Sequence, residues 1–203
     1  MGLLSFGAAT DADVALLVGW HADPEVSRYW DGETFTENEM RARLARPDVD
    51  MWILTEDGEP VGHLQSWWEA DPPRRGGIDG FLVPAARGRG VMPAVARQLA
   101  SDLLAQGWVE VTVDPYEWNE RALRGWRNAG FVEVSRGHPP DEDHSSEWVL
   151  MRFNGYAVPM SLRLTTTLTL AACGRPSPDR TRARRRPLFV RYFSRRWLAC
   201  RPS

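Results

Sequence analysis

The run Arg87-Gly88-Arg89-Gly90-Val91 constrains this chain more than any other stretch. It follows an apolar run at 77–83 and precedes a segment, 92–106, whose apolar residues recur at helical spacing. Two closely spaced glycines let the backbone turn tightly and present its N–H groups outward. The helix that follows adds unpaired donors and the positive end of its dipole. Strand, glycine turn and helix together form an anion cradle suited to a pyrophosphate. Pro93 is compatible, because a residue in the first helical turn needs no N–H. Taken alone, the same pattern also fits a plain tight connection.

The surrounding sequence reads as alternating short strands and helices. A first strand is expected at 3–6. Thr10 or Asp11 caps a helix to about Trp20, and Asp23-Pro24 opens a short one through Trp30. Thr36-Glu-Asn-Glu39 is a capping-box pattern, and its helix ends before Pro47. Strands at 51–55 and 61–68 flank Asp57-Gly58, a hairpin signal. Further strands are expected at 77–83 and 109–113, helices at 92–106 and 119–129, and a final hairpin from 131–135 and 146–153. The order predicts an α/β (α+β) domain around one mixed sheet, spanning 1–155.

Charge divides the chain. All 25 basic residues are arginine, and eleven of them lie in residues 161–203 beside one acid, Asp179. That leaves 14 arginines against 26 acids in residues 1–160, a net charge of −12. So acidic a body repels nucleic acid and attracts cations, which points to amine substrates. Residues 156–203 lack helical or strand periodicity and are expected to be a basic, disordered tail. It reads either as a frame-shifted or read-through extension, or as an arm for nucleic acid or another acidic surface. Both cysteines, Cys173 and Cys200, sit there, so the body has neither a catalytic thiol nor a cysteine metal site. No stretch has signal-peptide or membrane-spanning character, and the expectation is a cytoplasmic protein with no membrane partner, a monomer or homodimer.

Asp114-Pro-Tyr-Glu-Trp-Asn119-Glu-Arg-Ala-Leu-Arg-Gly-Trp-Arg-Asn-Ala-Gly130-Phe131 follows the glycine turn. Together the two segments resemble the GNAT superfamily of N-acetyltransferases over roughly residues 3–153. Within it, Asp23-Pro-Glu-Val-Ser-Arg-Tyr-Trp-Asp31, Gly62-His-Leu-Gln-Ser-Trp67, Gly77-Ile-Asp79 and Asp114-Pro115 resemble the aminoglycoside 6′-N-acetyltransferases. The first of these is shared with siderophore-type lysine acetyltransferases. The resemblance implies a mostly antiparallel sheet splayed between its fourth and fifth strands, with helices on both faces. It also implies acetyl-CoA as co-substrate and an aminoglycoside as acceptor.

The resemblance places Arg87, Gly88, Arg89, Gly90, Val91 and Met92 around the CoA pyrophosphate. Backbone groups of Phe81 and Val83 are expected to pair the pantetheine arm. Asn119 either hydrogen-bonds that arm or caps its helix. Met92 stands where the family has a small residue, and Trp126 where many members carry a Tyr proposed to protonate the leaving thiolate. A thiol with a pKa of roughly 8.5 leaves without that help. Asp79 is the expected general base, against the alternative of a surface residue at a bulge made by Gly77 and Gly80. Asp114 holds an acceptor ammonium or closes an Asp-Pro turn. Trp30, Gln65 and Trp67 are expected on the acceptor side, where indole faces suit sugars and cations. Trp67 and Trp68 should face opposite sides of the sheet. Glu69, Asp71 and Asp141-Glu-Asp143 either guide a polycation or are solvated loops. His21, His63, His138 and His144 have no metal-site spacing. Two alternatives to the aminoglycoside reading stay open: another amine acceptor, such as a siderophore lysine side chain or a protein N-terminus, and a non-catalytic acyl-CoA sensor.

Overall fold

A computed structural model describes residues 2–30, 32–68, 74–137 and 147–155. The chain divides into units Met1–Thr167 and Leu168–Ser203, and every element below belongs to the first. The expected tail, Glu69, Asp71, Asp141–Asp143, His138 and His144 lie outside the described residues.

Among the described residues, seven strands form one sheet: β1 (Leu4–Ala8), β2 (Val49–Glu56), β3 (Glu59–Trp68), β4 (Arg75–Leu82), β5 (Glu110–Val113), β6 (Phe131–Gly137) and β7 (Trp148–Phe153). Their spatial order is β1-β2-β3-β4-β5-β7-β6. Every neighbouring pair is antiparallel except β4 and β5. Between β2 and β3, Asp57 and Gly58 have φ of 53° and 87°. Two successive positive φ values make the primed turn whose twist matches that of the strands, which is why Asp-Gly stands there.

A parallel pair needs a crossover, and α4 (Val91–Ala105) supplies it. The helix buries Val91, Val95, Ala96, Leu99, Ala100 and Leu103, a helical stripe lying in one core with Leu64, Ile78, Leu82 and Val111. Leu123, Trp126 and Ala129 of α5 (Glu120–Ala129) join the same core. On the other face of the sheet Met51, Ile53, His63 and Phe81 are buried, as are Val14, Leu17 and His21 of α1 (Val14–Ala22), Val26 of α2 (Pro24–Ser27) and Met40 of α3 (Glu37–Leu44). Helices therefore cover both faces, as expected.

The capping signals are where the sequence puts them. The Thr36 hydroxyl accepts from the Glu39 N–H at 3.3 Å, and the Thr36 N–H donates to the Glu39 carboxylate at 2.8 Å. The Asp23 carboxylate accepts from the Glu25 N–H at 2.9 Å. Helix α2 stops at Ser27 and not at Trp30, because Tyr29 and Trp30 bond back to Val26 and Ser27 in tighter i→i+3 turns.

Beyond Gly77 the sheet splays. Strands β4 and β5 pair only through Arg75↔Glu110, Gly76↔Val111 and Gly77↔Thr112, although β4 runs on to Leu82. Among the described residues, the β5-facing edge of β4 from residue 78 onward therefore has no strand beside it.

Candidate active site

Three cross-strand pairs line one face of β3 and β4 beside this splay: His63↔Phe81, Gln65↔Asp79 and Trp67↔Gly77. The register is unbroken from Gly62↔Leu82 to Trp68↔Gly76, so no bulge carries Asp79. It sits half-buried in a regular strand. Gln65, 4% exposed, donates its amide N–H to Asp79 Oδ2 at 2.9 Å. The same amide's oxygen accepts two bonds from Arg43 of α3, from Nη2 at 2.9 Å and Nε at 3.3 Å. Arg43 is 5% exposed. Burial pulls its pKa down, while Glu33 and Asp79 pull it back up. Nothing in the sequence separates Arg43 from Arg41, the other arginine of its helix; only the fold turns it inward.

Trp67 lies on the same face, and its indole covers Gly77. A Cβ on that glycine would sit 2.6 Å from Trp67 Cζ2, and one on Gly76 would sit 1.8 Å from the Trp67 carbonyl oxygen. Gly77 thus admits the Trp67 ring, while Gly76 admits the close approach of the Trp67 backbone. Trp68 faces the opposite side, edge-on to Trp108 at 5.7 Å, so the expected alternation holds.

Trp30 closes the other end of the row. Its ring meets His21 at 5.1 Å, Phe81 at 5.6 Å and His63 at 6.0 Å. His21 and His63 are fully buried, and the fold holds both neutral. Burial first, then the charge of Arg43, lowers His21 to about 3. His63 also falls to about 3, through burial, His21 and Arg43, against a bond between its Nδ1 and the Trp52 carbonyl. Their place in an aromatic wall comes from α1 and β3 meeting in the fold, with His21 6.3 Å from His63 and 5.3 Å from Phe81.

The glycine turn has the geometry of an anion cradle. Gly88 and Gly90 have φ of 81° and 78°, and Gly90 is the N-cap of α4 with no side-chain cap bond. The first N–H groups of α4 therefore point outward. The arginine side chains of the turn are occupied elsewhere. Arg87 donates to the carbonyls of Leu82 at 2.8 Å and Glu25 at 2.7 Å. Arg89 pairs with Glu56 at 2.7 Å. The backbone N–H groups of the turn, and not these two side chains, are what it presents outward. Met92 packs against the core, its Cε 3.3 Å from where a Cβ on Gly80 would lie. Its bulk is taken up under the sheet.

The phase of β4 decides which of its backbone groups reach the splay. The Val83 N–H donates to the Val61 carbonyl at 3.0 Å, so Val83 and, by alternation, Phe81 and Asp79 direct their backbone groups into the β3 ladder. Ile78, Gly80 and Leu82 direct theirs towards the splay. Gly76, in the same phase, confirms this by accepting from Thr112 Oγ1 across the β5 side at 3.0 Å.

Past β5, Asp114 is half-buried, and the turn after it is tied to β7 by the Val149 N–H donating to the Pro115 carbonyl at 2.9 Å. Asn119 is an N-cap, its Oδ1 accepting from the Ala122 N–H at 3.1 Å. Trp126 is 8% exposed and packs edge-on to Phe131 at 5.4 Å. It packs in the core formed under α4 and α5. Tyr116, Trp118 and Tyr29, which the sequence reading did not single out, stack in series, with Tyr116–Trp118 at 5.4 Å and Tyr29–Trp118 at 5.7 Å. Among the described residues, no helix is long and apolar enough to cross a membrane.

Comparison with known proteins adds to this geometry. Residues 9–138 match the family model described as "Acetyltransferase (GNAT) domain". Aminoglycoside N(6')-acetyltransferase type 1 of Klebsiella pneumoniae is 31% identical over 152 residues, covering 65% of this chain and 75% of the relative. The structure of AAC(6')-Ib in complex with paromomycin and acetyl-CoA matches with a TM-score of 0.64 at 26% identity, over 74% of this chain and 92% of that one. AAC(6')-Ib in complex with coenzyme A and kanamycin matches with a TM-score of 0.63 at 25% identity, over 73% and 93%.

Proposed function

This chain belongs to the GNAT acetyltransferase family, and from that premise we propose that it transfers acetyl from acetyl-CoA to the 6′-amine of an aminoglycoside, giving resistance to the antibiotic. The observation that carries the acceptor class is Asp79, a carboxylate held by Gln65 between aromatic residues beside the splayed strands. The relatives whose names and complexes specify aminoglycosides support the same reading.

The residues present fit the co-substrate. The positive-φ glycines and uncapped start of α4 offer N–H groups to a pyrophosphate. The open edge at Ile78, Gly80 and Leu82 offers a ladder to the pantetheine arm. When bound there, acetyl-CoA supplies a thioester carbonyl for the amine to attack, with the CoA thiol as leaving group. The chain's own task is to make the amine a nucleophile. An aminoglycoside amine is largely an ammonium at neutral pH, and Asp79, directly or through a water, accepts its proton. An edge N–H such as that of Gly80 faces the splay, where an oxyanion develops. Asp114, at the end of β5, holds a second ammonium of the acceptor. Trp30 and Trp67 give apolar faces to its sugar rings.

Asp79→Asn keeps the shape and removes the base. In a thiol-release assay with kanamycin, the variant should lose at least about 100-fold in kcat, with the KM for acetyl-CoA unchanged. Wild-type kcat in the variant would remove Asp79 from the chemistry. Turnover on lysine-like amines but not on aminoglycosides would redirect the acceptor assignment.

A further inference from the structure

On that reading of Asp79 as the proton acceptor, we propose that Arg43 and Gln65 are positioning residues, a buried guanidinium–amide relay that fixes where the Asp79 carboxylate points. The relay runs from α3 through β3 to β4, with donor–acceptor distances of 2.9 Å at each step. Its polarity is forced. A guanidinium only donates, so the Gln65 oxygen must face Arg43 and its NH₂ must face Asp79. The relay therefore presents a donor to Asp79 Oδ2, which matches an acceptor-only carboxylate.

An arginine 5% exposed is an expensive way to fill space. The other buried residue of α3 is Met40, and a second apolar side chain would pack there without desolvating a charge. The guanidinium is instead surrounded by groups that hold it in place. The Phe35 ring lies 5.2 Å below it, and Gln65 accepts from two of its nitrogens. Its charge also helps keep His21 and His63 neutral. With two cationic histidines excluded, Arg43 is the cation that faces the Gln65–Asp79 pair from α3. Gln65, expected from the sequence to touch the acceptor, is 4% exposed and spends both ends of its amide on this relay. A base displaced by about 1 Å from its productive place can cost on the order of 100-fold.

Gln65→Glu is the decisive variant. It keeps the volume and an acceptor for Arg43, so the fold is retained, but it replaces the donor to Asp79 by a second acceptor. Steady-state thiol release with kanamycin is measured for wild type, Gln65→Glu, Asp79→Asn and the double variant. We expect Gln65→Glu to lose ~10–100-fold in kcat with an unchanged KM for acetyl-CoA, and to cause no further loss in the Asp79→Asn background. Arg43→Lys, which still donates to Gln65, should retain more kcat than Arg43→Met. If Arg43→Met fails to fold, the Gln65→Glu cycle decides alone. Full kcat in Gln65→Glu, or the same fold-loss with and without Asp79, overturns the relay while leaving Asp79 as the base. An Asp79→Asn enzyme at wild-type kcat overturns both.

Discussion

Mild acid should destabilise this domain through two histidines. His21 and His63 are both fully buried and both held near 3, chiefly by burial. In the unfolded chain each titrates near 6.5. The unfolded state therefore binds protons that the fold excludes, and stability present above about pH 6.5 is lost as pH falls towards 3. Between pH 7 and pH 5 the unfolded chain gains most of a proton at each site and the fold gains almost none. Linkage gives a loss of about 2 kcal/mol per histidine, about 4 kcal/mol for the pair. Asp50 and Asp102, whose carboxyls burial pushes up, act in the opposite direction, so the histidine variants are what isolate the histidine contribution. Against a total of roughly 5–15 kcal/mol, the loss is large, and it should lower Tm by about 8–16 °C. Thermal melts of wild type, His21→Leu, His63→Leu and the double variant at pH 7, 6 and 5 measure it. Each single variant should remove about half of the pH dependence, and the double variant nearly all. A wild-type Tm that stays flat across this range, or an undiminished slope in the double variant, would refute the reasoning.

Three other outcomes follow from the geometry. Gly77→Ala places a Cβ 2.6 Å from the Trp67 ring and should cost about 1–3 kcal/mol, raising the KM for the aminoglycoside but not for acetyl-CoA in steady-state assays. Gly90→Ala forces a side chain into a φ of 78° and should cost about 1–2 kcal/mol; kinetics should show the opposite split, with a raised KM for acetyl-CoA. Leu99→Ala, deep in the core under α4, should cost about 2–5 kcal/mol by denaturant melts, with kcat at 25 °C close to wild type.

The parts of this account legible in the sequence are those set by local chemistry. Asp57-Gly58 specified its hairpin, Thr36 and Glu39 their capping box, and Gly88 and Gly90 their positive-φ turn, because each depends on a few adjacent residues. The phase of β4 was not legible in that way. Whether Phe81 or Gly80 turns its N–H to the splay is decided by how β4 registers against β3, a partner sixteen to twenty residues away at the matched positions. Arginines were the other blind spot. The partners of the Arg87 and Arg89 side chains, carbonyls of Leu82 and Glu25 and the carboxylate of Glu56, lie outside the turn and could not be read from it. Arg43 looks like one more solvated charge on an exposed helix, yet it is the buried one. Side-chain direction for so long a residue depends on the acceptors the fold brings near it. Trp126 shows the same limit in reverse: its place in the motif suggested the cleft, and its packing on Phe131 puts it in the core.

The central claim is a chemical one, acetyl transfer to a defined amine. It is tested most directly by incubating the purified full-length chain with acetyl-CoA and kanamycin and assigning the acetylated nitrogen of the product by NMR. The account predicts stoichiometric thiol release and a single product, the 6′-acetamide. Acetylation at a ring amine in place of the 6′ position, or no product at all under conditions where acetyl-CoA binds, would contradict it.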